Sequence, residues 1–326
     1  MASHRIRNPL LRAIHEHNTD ERFRRSNLRK YYDVEAWYSC DTSKLPDWLA
    51  SKFVQSNLDQ RTEAFLDGCY EKSGWMLTQM WHSLAKSALS FFMSTTSVNG
   101  LLKRGSMFVF SRDQIQHLLG VTADWKAEKV IDLGAGDGEV TKEVDFMFKE
   151  VYATEASWTM QWRLSQQGCK VLPIDGWSLE KTGHAYDVIS CLNLLDRCDQ
   201  PLLLLKEMKE SLSSSGVVIM AVVLPFKQFV EHGSNQNKPS EVIEIQGETW
   251  EEQVQHLVQE VIQPAGFQVR SFSRVPYLCE GDATEPFYHL NDALFVLERG
   301  EDAVDSQREL EMEAVPSSSL SIESER

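Results

Sequence analysis

From residue 128 onward, short apolar runs alternate with stretches whose apolar residues recur three and four positions apart. The first pattern predicts buried strands and the second amphipathic helices. Strands are expected over Lys129–Leu133, Glu150–Thr154, Lys170–Ile174, Asp187–Leu192 and Gly216–Leu224. Helices are expected over Glu139–Phe148, Ser157–Gln167, Pro201–Leu212 and Thr249–Ala265. Such alternation predicts an α/β fold with a doubly wound, Rossmann-like, mostly parallel sheet. The end of the chain differs. Phe267–Val275 and Phe287–Glu298 face each other across a loop containing Gly, Asp and Pro, which predicts a terminal antiparallel hairpin and seven strands in all.

The residues before this region follow another rhythm. Leu45-Pro-Asp-Trp-Leu, Phe53–Leu66 and Trp75–Phe92 carry apolar residues at helical spacing. Trp75, Met76, Met80, Trp81, Leu84 and Leu89 form a stripe that reads as core packing before it reads as cleft lining. Ser97-Val-Asn-Gly100 is a turn signal, and Ser111 is placed to cap a helix over the residues that follow it. The expected organisation is a flexible arm over 1–44, a helical extension contributing to a substrate cleft over 45–120, the α/β domain over 121–299 and a disordered tail over 300–326.

Charge supports this division. Residues 1–30 hold eight Arg or Lys, and residues 301–326 hold eight Asp or Glu against two Arg. Both ends read as solvated tails. The whole chain carries a formal net charge of −15. That balance disfavours nucleic acid as a partner. The six cysteines show neither CxxC spacing nor a Cys/His ligand pattern, so no metal site and a reducing compartment are expected. The run Val217–Phe226 is half the length needed to span a bilayer, and no apolar leader follows Met1. An intracellular protein, cytoplasmic by default and monomeric, is the expectation.

The chemistry starts at Val-Ile-Asp132-Leu-Gly134-Ala-Gly136-Asp-Gly138-Glu139. A strand that ends in Asp and runs into a glycine loop is the signature of a nucleotide-type cofactor site. The nicotinamide pattern wants glycine at the position of Glu139, and Asp137 adds a second acid beside the loop. Two acids there repel phosphate and suit a sulfonium or ammonium group, as in S-adenosylmethionine. Glu155, after the next strand, can accept hydrogen bonds from ribose hydroxyls. Asp175, after the third strand, stands where an adenine contact is expected. Asn193 and Asp196 follow the fourth strand, on the sheet edge where ligands bind in open α/β folds.

These strings resemble those of the DREV-type protein-histidine N-pros-methyltransferases. The resemblance is carried by the glycine loop, Tyr152-Ala-Thr-Glu155, Asp187–Pro201 and Pro276-Tyr277-Leu-Cys-Glu-Gly-Asp282. Glu71-Lys-Ser-Gly-Trp75 and Asn99–Ser111 add to it, and together they cover about 50–300. The resemblance implies a class I methyltransferase fold with seven strands, S-adenosylmethionine as cofactor, and methylation of the pros ring nitrogen of histidine. The implied targets are protein segments His-x-His in which x is small. It also implies that Asp132, Gly134 and Gly136 shape the methionine-end pocket, that Glu155 holds the ribose, and that Asn193 contacts cofactor or target ring. Asp196 is implied to face the substrate and Tyr277 to close the pocket. Association with the endoplasmic reticulum or a mitochondrion is allowed by the same resemblance.

Methyl transfer to a neutral imidazole needs positioning more than acid or base strength. An acceptor from Asp196 or Asn193 that takes the tele N–H would leave the lone pair on the pros nitrogen, setting tautomer and regiochemistry together. A small-molecule N- or O-methyltransferase is the alternative enzyme, and a catalytically silent cofactor-binding scaffold is the non-enzymatic one. A nucleic-acid amino-methyltransferase would show Asn/Asp-Pro-Pro-aromatic where this chain has Asn193-Leu-Leu-Asp196. His15-Glu16-His17 resembles the target pattern, but Glu is not small and the pair reads as surface.

Overall fold

The computed structural model of the chain describes residues 32–73, 105–230, 237–281 and 285–300. The expected helix over Trp75–Phe92, the Ser97–Gly100 turn and the acidic tail lie outside the described residues. The strands are β1 (Met107–Phe108), β2 (Ala127–Leu133), β3 (Phe148–Thr154), β4 (Lys170–Leu172), β5 (Tyr186–Leu192), β6 (Leu212–Leu224), β7 (Phe267–Glu280) and β8 (Phe287–Arg299). They form one sheet in the order β1-β7-β8-β6-β5-β2-β3-β4. Neighbours from β6 to β4 pair in parallel, while β6–β8, β8–β7 and β7–β1 are antiparallel. The mostly parallel sheet and the closing hairpin match expectation. Among the described residues the count is eight and not seven, because Met107 and Phe108 pair with Cys279 and Leu278 at the edge.

Apolar layers cover both faces, which is why the central strands read as nearly continuous hydrophobic runs. One face carries α4 (Pro201–Ser211) and α5 (Trp250–Leu257), whose Leu205, Met208, Val254 and Leu257 meet Ile131, Ile189, Val218 and Phe295. The other carries α1 (Gln60–Ser73) and α2 (Arg112–Leu119), with Leu66, Ile115 and Leu118 packed with Val130, Val188, Ile219 and Val296. Val34, Trp37 and Tyr38 are buried in this second layer, so the chain is already part of the body by Tyr32, well inside the expected arm. A further helix, α3 (Trp158–Gln166), joins β3 to β4.

Local signals explain most boundaries. Ser111 caps α2 through a full capping box, its hydroxyl accepting from the Gln114 N–H and the Gln114 side chain accepting from the Ser111 N–H. Thr249 does the same for α5 with Glu252. The Phe53–Leu66 helix is corrected. Phe53 forms a parallel bridge with Phe272, and α1 starts at Gln60, where Asp59 accepts from the Thr62 N–H and hydroxyl. The helix expected over Glu139–Phe148 is corrected as well. Residues Thr141–Glu143 and Asp145–Met147 form two 3₁₀ turns that lead directly into β3. Val140, Thr141 and Val144 are β-branched and disfavour a short α-helix. Thr141 is also pulled inward by its hydrogen bond to Asp132.

Candidate active site

The glycine loop leaves β2 at Leu133 and carries left-handed φ angles of 70°, 57° and 78° at Gly134, Gly136 and Gly138. These conformations disfavour any residue with a Cβ. The crowding differs among them. A Cβ on Gly138 would stand 2.9 Å from the Leu164 side chain, so this glycine lets the loop lie against α3. A Cβ on Gly134 would stand 3.2 Å from Leu194, within the Asn193–Asp196 stretch. The loop therefore has little room for a side chain on the side that faces this stretch.

Below the loop, Asp132 is buried and its Oδ2 accepts from the Thr141 hydroxyl at 2.5 Å. Ser190, its register partner on β5, adds a side-chain hydrogen bond. Burial raises the Asp132 carboxyl to about 6, with the Glu155 charge adding to the rise and the two hydroxyls opposing it. Glu155 grips the loop from the β3 side: Oε2 accepts from the Gly136 N–H at 3.0 Å and Oε1 from the Ser157 N–H at 2.9 Å. Thr154 Oγ1 accepts from the Gly134 N–H at 3.2 Å. A carboxylate offers about four lone-pair directions, so Glu155 keeps capacity for hydroxyl donors.

The two acids flanking the loop are less repulsive than their sequence suggests. Asp137 lies 3.8 Å from Arg163 and accepts from the Ser106 hydroxyl at 3.2 Å, and Glu139 pairs with Lys142 at 2.6 Å. Burial raises the Asp137 carboxyl while the Glu139 N–H and Arg163 oppose the rise. Each acid has its own cation, so the bias against phosphate rests more on Asp132 beneath the loop than on these two.

Across the sheet edge a second group assembles. Asn193 follows β5 with φ at 53°, a conformation uncommon for any residue but glycine yet tolerated by Asn. This turn, held by Asn193 N–H to Ala221 O, sends the side chain toward β8, where Nδ2 donates to Asp292 Oδ2 at 2.9 Å. Asp196 is buried, and its Oδ2 accepts from Arg197 Nε at 3.1 Å. Burial raises its carboxyl and Arg197 opposes the rise. Tyr277 comes from β7, and its hydroxyl donates to Met107 Sδ on β1. Burial pushes this phenol well above its ordinary range, with Cys279, Asp292 and Asp196 adding to the rise and Arg197 opposing it. Asn193 Oδ1, Asp196 Oδ1 and Asp292 Oδ1 are all buried without a hydrogen-bond partner among the described residues. Three unsatisfied acceptors in one place are costly unless a donor arrives.

Met107 links the two groups, since a Cβ on Gly136 would stand 3.8 Å from its methyl while its sulfur takes the Tyr277 hydroxyl. The structure thus gathers Asp132, Gly134, Gly136 and Glu155 at one end and Asn193, Asp196 and Tyr277 at the other. Asp175 stands apart, exposed beyond β4, with no hydrogen bond or ion pair among the described residues. Sequence reasoning missed Met107, Arg197 and Asp292. For Asp292 a signal existed, a carboxyl directly before the apolar run Ala293–Leu297. For Met107 none did. Among the described residues no group of His, Cys, Asp and Glu could hold a metal ion, and no helix is long and apolar enough to cross a membrane.

A mixed sheet of this order, with a glycine loop after its central strand, is the class I methyltransferase fold, and the cofactor of that class is S-adenosylmethionine. The donor set fits it: backbone around a loop free of side chains, a carboxylate with lone pairs to spare, and no unbalanced cation at the loop. A family model described as DREV methyltransferase matches residues 37–299, and the chain belongs to that family. Among solved structures, a SAM-dependent methyltransferase from Leishmania major is 12% identical, with 67% of this chain and 83% of that chain covered at a TM-score of 0.40. Magnesium protoporphyrin IX methyltransferase from Synechocystis, with bound SAM, is 14% identical, with 57% and 77% covered at a TM-score of 0.37.

Proposed function

We propose that this methyltransferase transfers the methyl group to the pros nitrogen of histidine in His-x-His segments of proteins, x being small. One observation carries the reading: among the described residues Asn193 Oδ1 and Asp196 Oδ1 are buried acceptors without a hydrogen-bond partner, and Asp196 is one of the charges acting on the Tyr277 phenol. A neutral imidazole brings one N–H and one lone pair. An acceptor that takes the tele N–H holds the ring in the tautomer whose pros nitrogen is nucleophilic. Two acceptors suit two histidines, or one histidine and a neighbouring backbone N–H.

In this reading Asp132, Gly134 and Gly136 form the methionine end of the cofactor pocket, Glu155 takes the ribose and Asp175 lies toward the adenine. Bound S-adenosylmethionine supplies a methyl group on a sulfonium, a leaving group that needs no acid assistance. The residues then have a positioning task. Asn193 and Asp196 orient the ring, and the Asp196 carboxylate offsets the positive charge that develops on it. Tyr277, held by Met107, closes the pocket over the acceptor. The segment before residue 121 contributes to the cleft through Met107.

The test is incubation with methyl-labelled cofactor and a His-Ala-His peptide, followed by hydrolysis and separation of the two methylhistidines. Label on pros-methylhistidine is expected. Label only on a small metabolite, or on no histidine, would overturn the histidine reading and leave the methyltransferase assignment standing.

A further inference from the structure

Asn193 has two chemically opposite ends, and the direction its amide faces decides what it offers a ligand. With Nδ2 held elsewhere, the side chain presents Oδ1, an acceptor. Turned over, it presents two N–H donors. An imidazole whose tele N–H meets the acceptor keeps its lone pair on the pros nitrogen. An imidazole facing the donors would carry its proton on the pros nitrogen and its lone pair on the tele nitrogen, so it could react only by turning the ring and taking the methyl on the tele nitrogen.

What holds the amide is Asp292. This residue lies inside β8, opposite Val223 of β6 and Val275 of β7, and is fully buried. Packing does not require a carboxyl there, since Leu294 and Val296 continue the same face as core. Its one hydrogen bond among the described residues is the 2.9 Å contact from Asn193 Nδ2 to Oδ2. The consequence at the other end of the amide is the unpartnered Asn193 Oδ1. A buried carboxyl held by a single amide, in a strand interior, is expensive to keep. Its cost is explained if it orders that amide.

We propose that Asp292 is the positioning residue that makes Asn193 present its carbonyl oxygen to the acceptor ring, and so selects the pros nitrogen. The proposal rests on the histidine reading above. A carboxylate only accepts, so it selects the NH₂ side of the amide. A proton on Oδ2 would turn the acceptor into a donor and release that selection. The groups facing Asp292 set how readily this happens: Asp196 after β5, Tyr277 and Cys279 on β7, and Arg197 beside them. Burial, with Asp196 adding to it, raises the Asp292 carboxyl well above its ordinary range, and the Asn193 amide opposes the rise.

The experiment compares wild type with Asp292→Asn and Asp292→Leu, both close in volume, in two arms. In the first, the Asn193 side-chain amide is followed by ¹⁵N–¹H NMR in the protein saturated with S-adenosylhomocysteine. Wild type should show one ordered NH₂ pair, shifted by its bond to the carboxylate, and both variants should lose that shift. In the second, turnover, KM and product are measured with a His-Ala-His peptide. Both variants should lose about 10- to 100-fold in kcat, the worth of a hydrogen bond to a charged group. Cofactor affinity should stay within about twofold, and the pros-to-tele product ratio should fall about tenfold. A merely structural role would lower activity without moving that ratio. An unchanged Asn193 resonance, or an unchanged ratio in both variants, overturns the proposal. If wild type methylates no histidine, the histidine reading fails by itself, and the NMR arm still decides whether Asp292 orders Asn193.

Discussion

Replacing Asp132 by Asn should stabilise the cofactor-free protein at neutral pH while weakening cofactor binding. The carboxyl is buried beneath the glycine loop and raised from 3.8 to about 6. A rise of that size corresponds to about 3 kcal/mol, which is what ionising the group inside the fold costs relative to the unfolded chain. The sign follows from proton binding. Below about pH 4 the group is protonated in both states and contributes no penalty. Between about pH 4 and pH 6 the native state holds the proton more tightly, so stability falls as pH rises, and the loss is complete above the folded value. Asparagine does not titrate and keeps an acceptor for the Thr141 hydroxyl. The stability difference, variant minus wild type, should therefore climb by about 2–3 kcal/mol from pH 4 to pH 7.5, equivalent to roughly 5–10 °C in Tm. Urea unfolding of both proteins across that range measures it, and the difference cancels other groups that titrate there. Calorimetry should show weaker cofactor binding by the same variant. Parallel pH curves would refute the argument, because they would mean that Asp132 is not ionised against a penalty in the folded protein.

Gly138→Ala should destabilise the fold by about 2 kcal/mol or more, because φ is 78° and the new methyl meets Leu164; thermal denaturation checks this, and an unchanged midpoint would mean that the loop can move off α3. Asp196→Asn should cut peptide turnover by about tenfold or more at unchanged cofactor affinity, since it removes the charge but keeps the shape; steady-state kinetics with calorimetry separates the two quantities, and unchanged turnover removes Asp196 from the reaction. Tyr277→Phe should leave the melting temperature within about 2 °C and lower kcat by several-fold, as the ring still fills its site and only the hydroxyl is lost; a large loss of stability would instead identify its contact with Met107 as structural.

How far the sequence carried varies with the kind of residue. The parallel strands were legible because buried strands leave uninterrupted apolar runs, and Val188 to Leu192 could hardly be anything else. The glycine loop was legible because left-handed backbone demands glycine. The helix after it was not, because the Glu139–Met147 stretch carries helical spacing, and only the tether from Thr141 to Asp132 shows why it tightens into 3₁₀ turns. A two-residue edge strand such as β1 has no period to detect, so its pairing with β7 stayed hidden. Tyr277 lies inside β7, two residues beyond Val275, where the expected strand ends, and only the long register with β8 carries it to the site. Asp292 shows a further limit. A single carboxyl in an apolar strand reads as a pattern defect until its partner, Asn193, is found across the sheet.

The short edge strand bears on how this protein can be divided. Met107 and Phe108 come before the glycine loop in the chain, yet they cover the open hydrogen-bonding edge of β7, which is otherwise near the last element. Phe108, Val109 and Phe110 also enter the core on that face. A fragment beginning at residue 121 would leave β7 with bare N–H and C=O groups above a stripped apolar surface, the arrangement that invites strand-to-strand aggregation. The beginning and the end of the fold are thus laced together around the cofactor loop, and the catalytic unit is indivisible at the point where its strand–helix alternation begins.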